Sequence, residues 1–175
     1  MEPDRPWSVP VRVEEVPEAG LGLHFCADQS LRDRIARIAG VLALPRLQAD
    51  FTVTRRGRGL RVVGEVSATV GQTCVVTLEP IESQIAESVD LVFAPADDND
   101  LPSIARGDPE SEPPEPLHDG CVDLGALATE FLLLGIDPYP RKPGAVFAPP
   151  PAAATQDGPF AALATLKRRR EDGGR

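Results

Sequence analysis

The stretch LQADFTVTRRGRGLRVVGEVSA, residues 47–68, decides the fold of this chain. Apolar and polar residues alternate on both sides of the central run RRGRG. Alternation places one set of side chains on one face of a strand, and two such runs around a short glycine-containing connection are typical of a β-hairpin. We therefore predict an antiparallel hairpin with arginines at its tip. The alternating apolar residues are Leu47, Ala49, Phe51 and Val53 before the run, and Leu60, Val62 and Val66 after it.

The sequence on either side extends this hairpin into a sheet. Residues 69–78 predict a further strand that contains Cys74, and the alternation returns from Ile81 to Phe93. The pair Glu79-Pro80 would mark the turn or bulge between these two strands, because proline cannot donate to a central ladder. Upstream, we expect an edge strand over residues 7–16 and a short strand over residues 21–25.

Three segments have helical spacing. Asp28 is the expected N-cap of the first helix, and Gly40 its stop. Asp123 is the expected cap of a second helix, which ends near Gly135. A third, short helix is expected to open at Pro159 and to end in a cluster of cations. The chain is thus predicted to be α+β, with an antiparallel sheet or partial barrel of about five to seven strands packed with two or three helices.

The formal net charge of −9 is concentrated in residues 95–120, which hold eight acidic residues, six prolines and one arginine. Such a segment has little to bury, so we expect a mobile acidic loop. Residues 1–140 are predicted to form a single α+β domain that contains this disordered loop. Residues 141–175 are predicted to form a mobile Pro/Ala-rich linker with a short basic C-terminal helix.

Composition and cysteine usage narrow the class of protein. The N-terminus lacks a basic stretch followed by an apolar one, and no apolar run is long enough to cross a membrane. Three widely spaced cysteines fit a reduced compartment, so we expect a soluble, cytoplasmic protein without membrane contact. A sequence pI near 4.7 argues against an indiscriminate nucleic-acid binder. The acidic pI does not exclude local contact with nucleic acid through basic clusters.

Four blocks of sequence, in this order, resemble the YceD family, the large ribosomal RNA subunit accumulation proteins. The similarity runs from about residue 7 to residue 167. It implies a bacterial, cytoplasmic α+β protein that is linked to ribosome biogenesis through accumulation of large-subunit rRNA, with no established catalytic activity. The blocks are GQTCVVTLEPIES at 71–83, ESVDLVFAP at 87–95, VDLGALATEFLLLGIDPYPRKPG at 122–144 and DGPFAALATLK at 157–167.

One departure from the family pattern concerns Cys74. Many members carry a C-x-x-C pair here, whereas Thr77 occupies the second position in this chain. The form C-V-V-T-L-E-P resembles the variant typical of alphaproteobacterial members. This chain therefore lacks one of the two sulfurs that a metal or redox role of the paired form would need.

A catalytic role for Cys74 has little support in the sequence. A cysteine nucleophile needs a nearby histidine or a helix N-terminus, and Cys74 is predicted in the middle of a strand. The chain has two histidines, His24 and His118, and His118 lies in the acidic loop. The spacing of cysteines and histidines does not indicate a zinc site either. We expect no enzyme activity, catalytic residue, metal, cofactor or small-molecule substrate, with Cys74 as a packed structural residue.

The remaining hypothesis is a binding protein that supports the accumulation or processing of large-subunit rRNA. Its partner is rRNA, held through arginine–phosphate contacts, or a basic ribosomal protein, attracted by the acidic loop. Two alternatives stay open: an acidic module that chaperones a basic partner unrelated to rRNA, and a Cys74-dependent enzyme. The candidate partner-binding residues are Arg55, Arg56, Arg58, Arg61, Leu78, Glu79, Pro80, Lys167, Arg168, Arg169 and Arg170.

Overall fold

The computed structural model describes residues 6–95 and 114–147 of the 175-residue chain. In these residues it contains seven strands, two α-helices and one 3-10 turn. The strands are β1 (Pro10–Arg12), β2 (Leu21–Cys26), β3 (Ala43–Arg56), β4 (Gly59–Thr73), β5 (Pro80–Pro95), β6 (Glu115–Leu117) and β7 (Cys121–Asp123). The helices are α1 (Gln29–Ala39) and α2 (Leu124–Gly135), and the 3-10 turn spans Val13–Glu15. This arrangement confirms the predicted α+β class.

A five-stranded sheet in the order β2-β3-β4-β5-β6 forms the body of the fold. Neighbours from β2 to β5 are antiparallel, whereas β6 runs parallel to β5 over three residues. A second, two-stranded sheet pairs β1 with β7 and so joins the start of the chain to residues just before α2.

One face of the large sheet is apolar because the alternation keeps the same phase over most of each strand, with one shift in β3 between Ala43 and Arg46. In the ladders, Leu47 faces Ala68, and Ala68 faces Ile85, so apolar side chains stand in rows across β3, β4 and β5. Burying these rows against both helices removes apolar surface from water, which is the main stabilising term. The opposite face is polar and exposed. The core combines strand and helix residues, including Leu47, Phe51, Val62, Val66, Val89, Ile35, Leu124 and Leu132.

Both predicted helix caps are confirmed. The Asp28 carboxylate accepts a hydrogen bond from the Leu31 N–H at 2.8 Å, and Gly40 ends α1 with φ of +66°. That left-handed backbone conformation suits glycine because residues with a side chain are strained in it. Asp123 caps α2 by accepting from the N–H groups of Gly125 and Ala126. Its carboxylate also accepts from the Val9 N–H, which fixes the N-terminal segment.

Two strand predictions and one loop boundary need correction. Residues 60–68 and 69–78 were expected as separate strands, but β4 is continuous from Gly59 to Thr73 because no turn residue interrupts its alternation. The N-terminal edge strand is limited to Pro10–Arg12, since Val13–Glu15 form a 3-10 turn. The expected acidic loop does not extend over Glu115–Leu117, which form β6. Residues 96–113 of that loop lie outside the described part of the chain.

The chain divides into two compact units, Met1–Pro143 and Gly144–Arg175. The first contains every strand and helix given above. Of the second, only residues 144–147 are described, and they are irregular. The predicted C-terminal helix and its basic cluster lie outside the described residues. Within residues 6–95 and 114–147, no helix is both long and apolar enough to cross a membrane.

The two leucines Leu132 and Leu134 on α2 allow a matched test of the packing. Leu132 is fully buried, whereas Leu134 is 73% exposed. Leu132→Ala should lower the free energy of unfolding by about 3 kcal/mol, because it removes buried methyl groups and leaves a cavity. Leu134→Ala should change it by less than about 0.5 kcal/mol. Urea unfolding of both variants checks this, and equal losses would contradict the assigned helix face.

Candidate functional site

Cys74 lies immediately after β4, in the turn that leads into β5. This corrects the prediction that it sits in the middle of a strand. The Cys74 N–H donates to the Glu79 carbonyl at 2.8 Å, and the Leu78 N–H donates to the Cys74 carbonyl at 2.9 Å. These bonds close the turn and set its register. Pro80 begins β5, as expected of a residue that cannot donate within a ladder.

The segment that follows α2 folds over this turn and binds to it through four hydrogen bonds. We call this set of contacts the clasp. It joins residues 72–79 to residues 137–142, although about sixty residues of sequence separate them. The clasp bonds run from the Val75 N–H to the Pro140 carbonyl (2.9 Å), from the Lys142 N–H to Cys74 Sγ (3.3 Å), from Gln72 Nε2 to the Asp137 carbonyl (2.8 Å) and from Lys142 Nζ to Glu79 Oε2 (2.8 Å).

The sulfur of Cys74 is an acceptor inside the clasp. It is fully buried, and it receives the N–H groups of Lys142 at 3.3 Å and Thr77 at 3.4 Å. N–H donors stabilise a thiolate more than a thiol. The hydrogen bond from Lys142, followed by those from Thr77, lowers the pKa of Cys74 from 9.0 to about 6, against the opposing effect of burial. Cys74 is therefore a buried hydrogen-bond acceptor whose environment favours the thiolate form.

A low pKa does not make Cys74 a catalytic residue. A nucleophile must reach its substrate, and this sulfur has no exposed surface. Its described partners are backbone N–H groups and the Thr77 side chain, and none of these is a general base. Among residues 6–95 and 114–147, no group of three or more His, Cys, Asp or Glu side chains is arranged to hold a metal ion.

Leu78 and Glu79 of the predicted motif Leu78-Glu79-Pro80 have different surroundings in the clasp turn. Leu78 has φ of +59° and is 76% exposed. A bulky residue in the left-handed region is strained, and such strain is held where the surrounding contacts impose it. Glu79 is bound to Lys142, whose hydrogen bond and charge lower the pKa of Glu79. Leu78 is thus the member of the motif most available to a partner.

The four candidate arginines lie around the tip of the β3–β4 hairpin. Arg55 and Arg56 end β3, and Arg58 follows the turn at Gly57, which has φ of +61°. Arg55 donates from Nη2 to the Glu14 carbonyl at 2.9 Å. Because the Glu14 carbonyl is neutral, this hydrogen bond does not neutralise the positive charge of Arg55.

Arg61 is bound to a carboxylate on the neighbouring strand β5. Its Nε and Nη2 donate to the two oxygens of Asp90 at 2.8 and 2.7 Å. The hydrogen bonds and charge of this pair raise the pKa of Arg61, and the Arg61 hydrogen bond lowers the pKa of Asp90. We define the basic tip as Arg55, Arg56 and Arg58, without Arg61. The other predicted cluster, Lys167, Arg168, Arg169 and Arg170, lies outside the described residues.

Sequence reasoning missed the residues that complete the clasp: Gln72, Asp137 and Lys142. Three of the four bonds use a backbone donor or acceptor on at least one side, and backbone groups carry no sequence signal. The RKPG run at residues 141–144 was part of a recognised block, but its pairing with Glu79 depends on how α2 folds back. The structure places the basic tip and the clasp at opposite ends of β4.

These features define an α+β domain with a mixed five-stranded sheet, a basic hairpin tip and a buried cysteine anchor. The family model described as Large ribosomal RNA subunit accumulation protein YceD matches residues 62–167. This range includes β4 from Val62 onward, β5, the clasp and α2, and it covers more than half of the chain. The chain belongs to the YceD family. No curated protein and no solved structure matches it.

The Cys74 anchor predicts a specific pH dependence of stability. The pKa is lower in the folded state than in the unfolded thiol, so thiolate stabilisation is fully present above about pH 9 and is lost as the pH falls through about 6. The difference in unfolding free energy between wild type and Cys74→Ser should therefore widen as the pH rises across this window. Urea unfolding at a series of pH values measures it.

Cys121→Ser is the matched control, because it leaves the Cys74 sulfur in place. Its stability difference from wild type should stay nearly constant over the same pH series. A Cys74→Ser difference that is also flat would show that the sulfur is not held as a thiolate.

Proposed function

We propose that this chain is a non-enzymatic ribosome biogenesis factor that supports the accumulation or processing of large-subunit rRNA by binding, and that it works in the cytoplasm. Membership of the YceD family implies the link to ribosome biogenesis. The mode of action proposed here is direct contact with rRNA. The observation that carries it is the basic tip, which places three arginines within four residues at the exposed end of a rigid hairpin.

The physical chemistry of the basic tip favours a phosphate backbone as its ligand. Guanidinium groups bind phosphate through paired N–H donors and keep their charge at any physiological pH. The ladders on both sides of β4 hold the tip in place, so it meets a partner with little loss of backbone freedom. Because the chain as a whole is acidic, it would contact RNA at the basic tip and not over its whole surface.

Three finer features belong to the same proposal. We propose that Leu78 adds an apolar contact with the partner, and that Lys167, Arg168, Arg169 and Arg170 form a second phosphate-binding cluster. Residues 1–140 are proposed as one domain with an acidic loop at 95–120, and residues 141–175 as a linker with a short basic helix. The C-V-V-T-L-E-P motif supports assignment to an alphaproteobacterial-type variant.

Removing the basic tip should weaken RNA binding and change its salt dependence. The triple variant Arg55→Ala, Arg56→Ala, Arg58→Ala should bind large-subunit rRNA at least about tenfold more weakly, with a salt slope shallower by about two. Arg46→Ala is the matched control, since Arg46 lies at the other end of β3 and donates to Gln48. Fluorescence anisotropy over a salt series measures both quantities. An unchanged slope in the triple variant would contradict arginine–phosphate contact at the tip.

A second candidate partner is a basic protein segment, and the edge of β5 favours it. β5 pairs with β4 over fourteen positions, but with β6 only at Phe93–Pro95. Within the described residues, 81–92 have no strand on their other side. Such an edge presents unpaired N–H and C=O groups to an incoming strand. Over its whole length β5 carries three carboxylates and no basic side chain.

Helix α2 would form the apolar side of this binding edge. Gly135 packs so closely on Ile85 and Glu87 that a β-carbon there would lie 2.7 Å from Ile85 Cγ2. The neighbouring Leu133 and Leu134 are exposed. An extended segment that alternates apolar and basic residues would therefore pair with β5, contact the leucines and meet carboxylates. A second copy of this chain is a poor occupant, because β5 against β5 would bring carboxylates together.

Charge reversal at the β5 edge tests this second candidate. Glu82→Lys combined with Leu134→Ala should lower affinity for purified basic large-subunit ribosomal proteins by about tenfold, because both changes alter the proposed contact. Glu65→Lys is the matched control, since Glu65 lies on β4, which has strands on both sides. Isothermal titration calorimetry measures the affinities. Equal weakening by both variants would indicate only a general charge effect and would contradict edge pairing.

A further inference from the structure

The open face of the sheet brings a thiol, an imidazole and a carboxylate into line on β2 and β3. His24 and Asp50 are direct partners in the antiparallel ladder, and Cys26 stands two residues from His24 on the same face. His24 Nδ1 lies 2.6 Å from Asp50 Oδ1, and His24 Nε2 lies 3.4 Å from Cys26 Sγ. The three side chains form a continuous hydrogen-bonded chain across two strands. We call it the surface triad.

The protonation of the surface triad follows from its donors and acceptors. An ionised carboxylate can only accept, so His24 must carry its proton on Nδ1, facing Asp50. In the neutral ring Nε2 then holds the lone pair, and the thiol of Cys26 is the donor toward it. This is the order of groups that activates a cysteine: a nucleophile, a base within hydrogen-bond reach, and a carboxylate that orients the base.

The surface triad is also accessible, which separates it from the clasp. Cys26 is exposed, and the side chains of His24 and Asp50 are 57% and 58% exposed. Cys74 is buried, and Cys121 is partly exposed. A thiol needs both a proton acceptor and an open approach to react. Among the three cysteines, Cys26 is the one whose described surroundings give it both.

We propose that Cys26 is a redox-modification site that reacts with low-molecular-weight disulfides. The Cys26 thiol gives its proton to His24 Nε2, and the thiolate attacks one sulfur of the disulfide. A new S–S bond forms at Cys26 while the reagent's S–S bond breaks, and the departing thiolate takes the proton from His24. The products are a mixed disulfide on Cys26 and one free small thiol. Asp50 is a positioning residue, because it acts through the imidazole.

The test is the rate at which oxidised glutathione modifies each cysteine of the folded full-length chain, followed by mass spectrometry. Cys26 should be modified first, and His24→Gln should slow its modification by about tenfold at neutral pH. Asp50→Asn should also slow it, whereas Asp50→Glu should restore part of the rate. That rescue distinguishes a carboxylate that orients the ring from one that only supports the strand.

Thr52→Ala is the matched control. Thr52 lies on the same face of β3, opposite Gly22, and outside the triad. In this variant, Cys26 should be modified at the wild-type rate. All variants should unfold at the same urea midpoint as the wild type. Equal rates in His24→Gln and wild type, or faster modification of Cys121 than of Cys26, would overturn the proposal.

Discussion

The long pairing of β4 with both of its neighbours, interrupted only by a register shift between Ala43 and Arg46 of β3, determines the positions of the other elements. β4 is bonded to β3 from Arg56↔Gly59 as far as Ala43↔Gly71, and to β5 over fourteen positions. A slip of one residue would turn every apolar side chain of β4 to the solvent. The register therefore also fixes where each functional group lies. Fifteen residues of strand separate the basic tip from the clasp by about 45 Å along the chain.

The clasp shows how the chain holds its cysteine motif with one sulfur. Here the Thr77 N–H donates to the Cys74 sulfur, and the Lys142 N–H donates from across the turn. Backbone donors and the Thr77 side chain thus lower the pKa of Cys74, and the Glu79–Lys142 ion pair lies on the exposed side of the clasp. The motif maintains a structural junction, and Leu78 is left exposed beside it.

Much of the fold could be predicted from the sequence because its signals are local. The alternation of apolar and polar residues predicted the hairpin and β5. The helix ends were predicted from Asp28, Gly40 and Asp123. The length of β4 was missed because a strand break was inferred where no turn residue stands. The clasp and the surface triad could not be predicted, since both depend on long-range register. His24 meets Asp50 only because β2 and β3 pair in one particular alignment.

For the candidate binding residues too, local position could be predicted from the sequence, whereas contacts between strands could not. The arginines were placed correctly at the hairpin tip, but the Arg61–Asp90 pair could not be seen without the β4–β5 register. The basic tip is the surface on which the proposed role in ribosome biogenesis depends. The most direct measurement is the ratio of large- to small-subunit rRNA in cells whose only copy of this protein lacks Arg55, Arg56 and Arg58. The account predicts a lower ratio at unchanged protein level, and a wild-type ratio would contradict it.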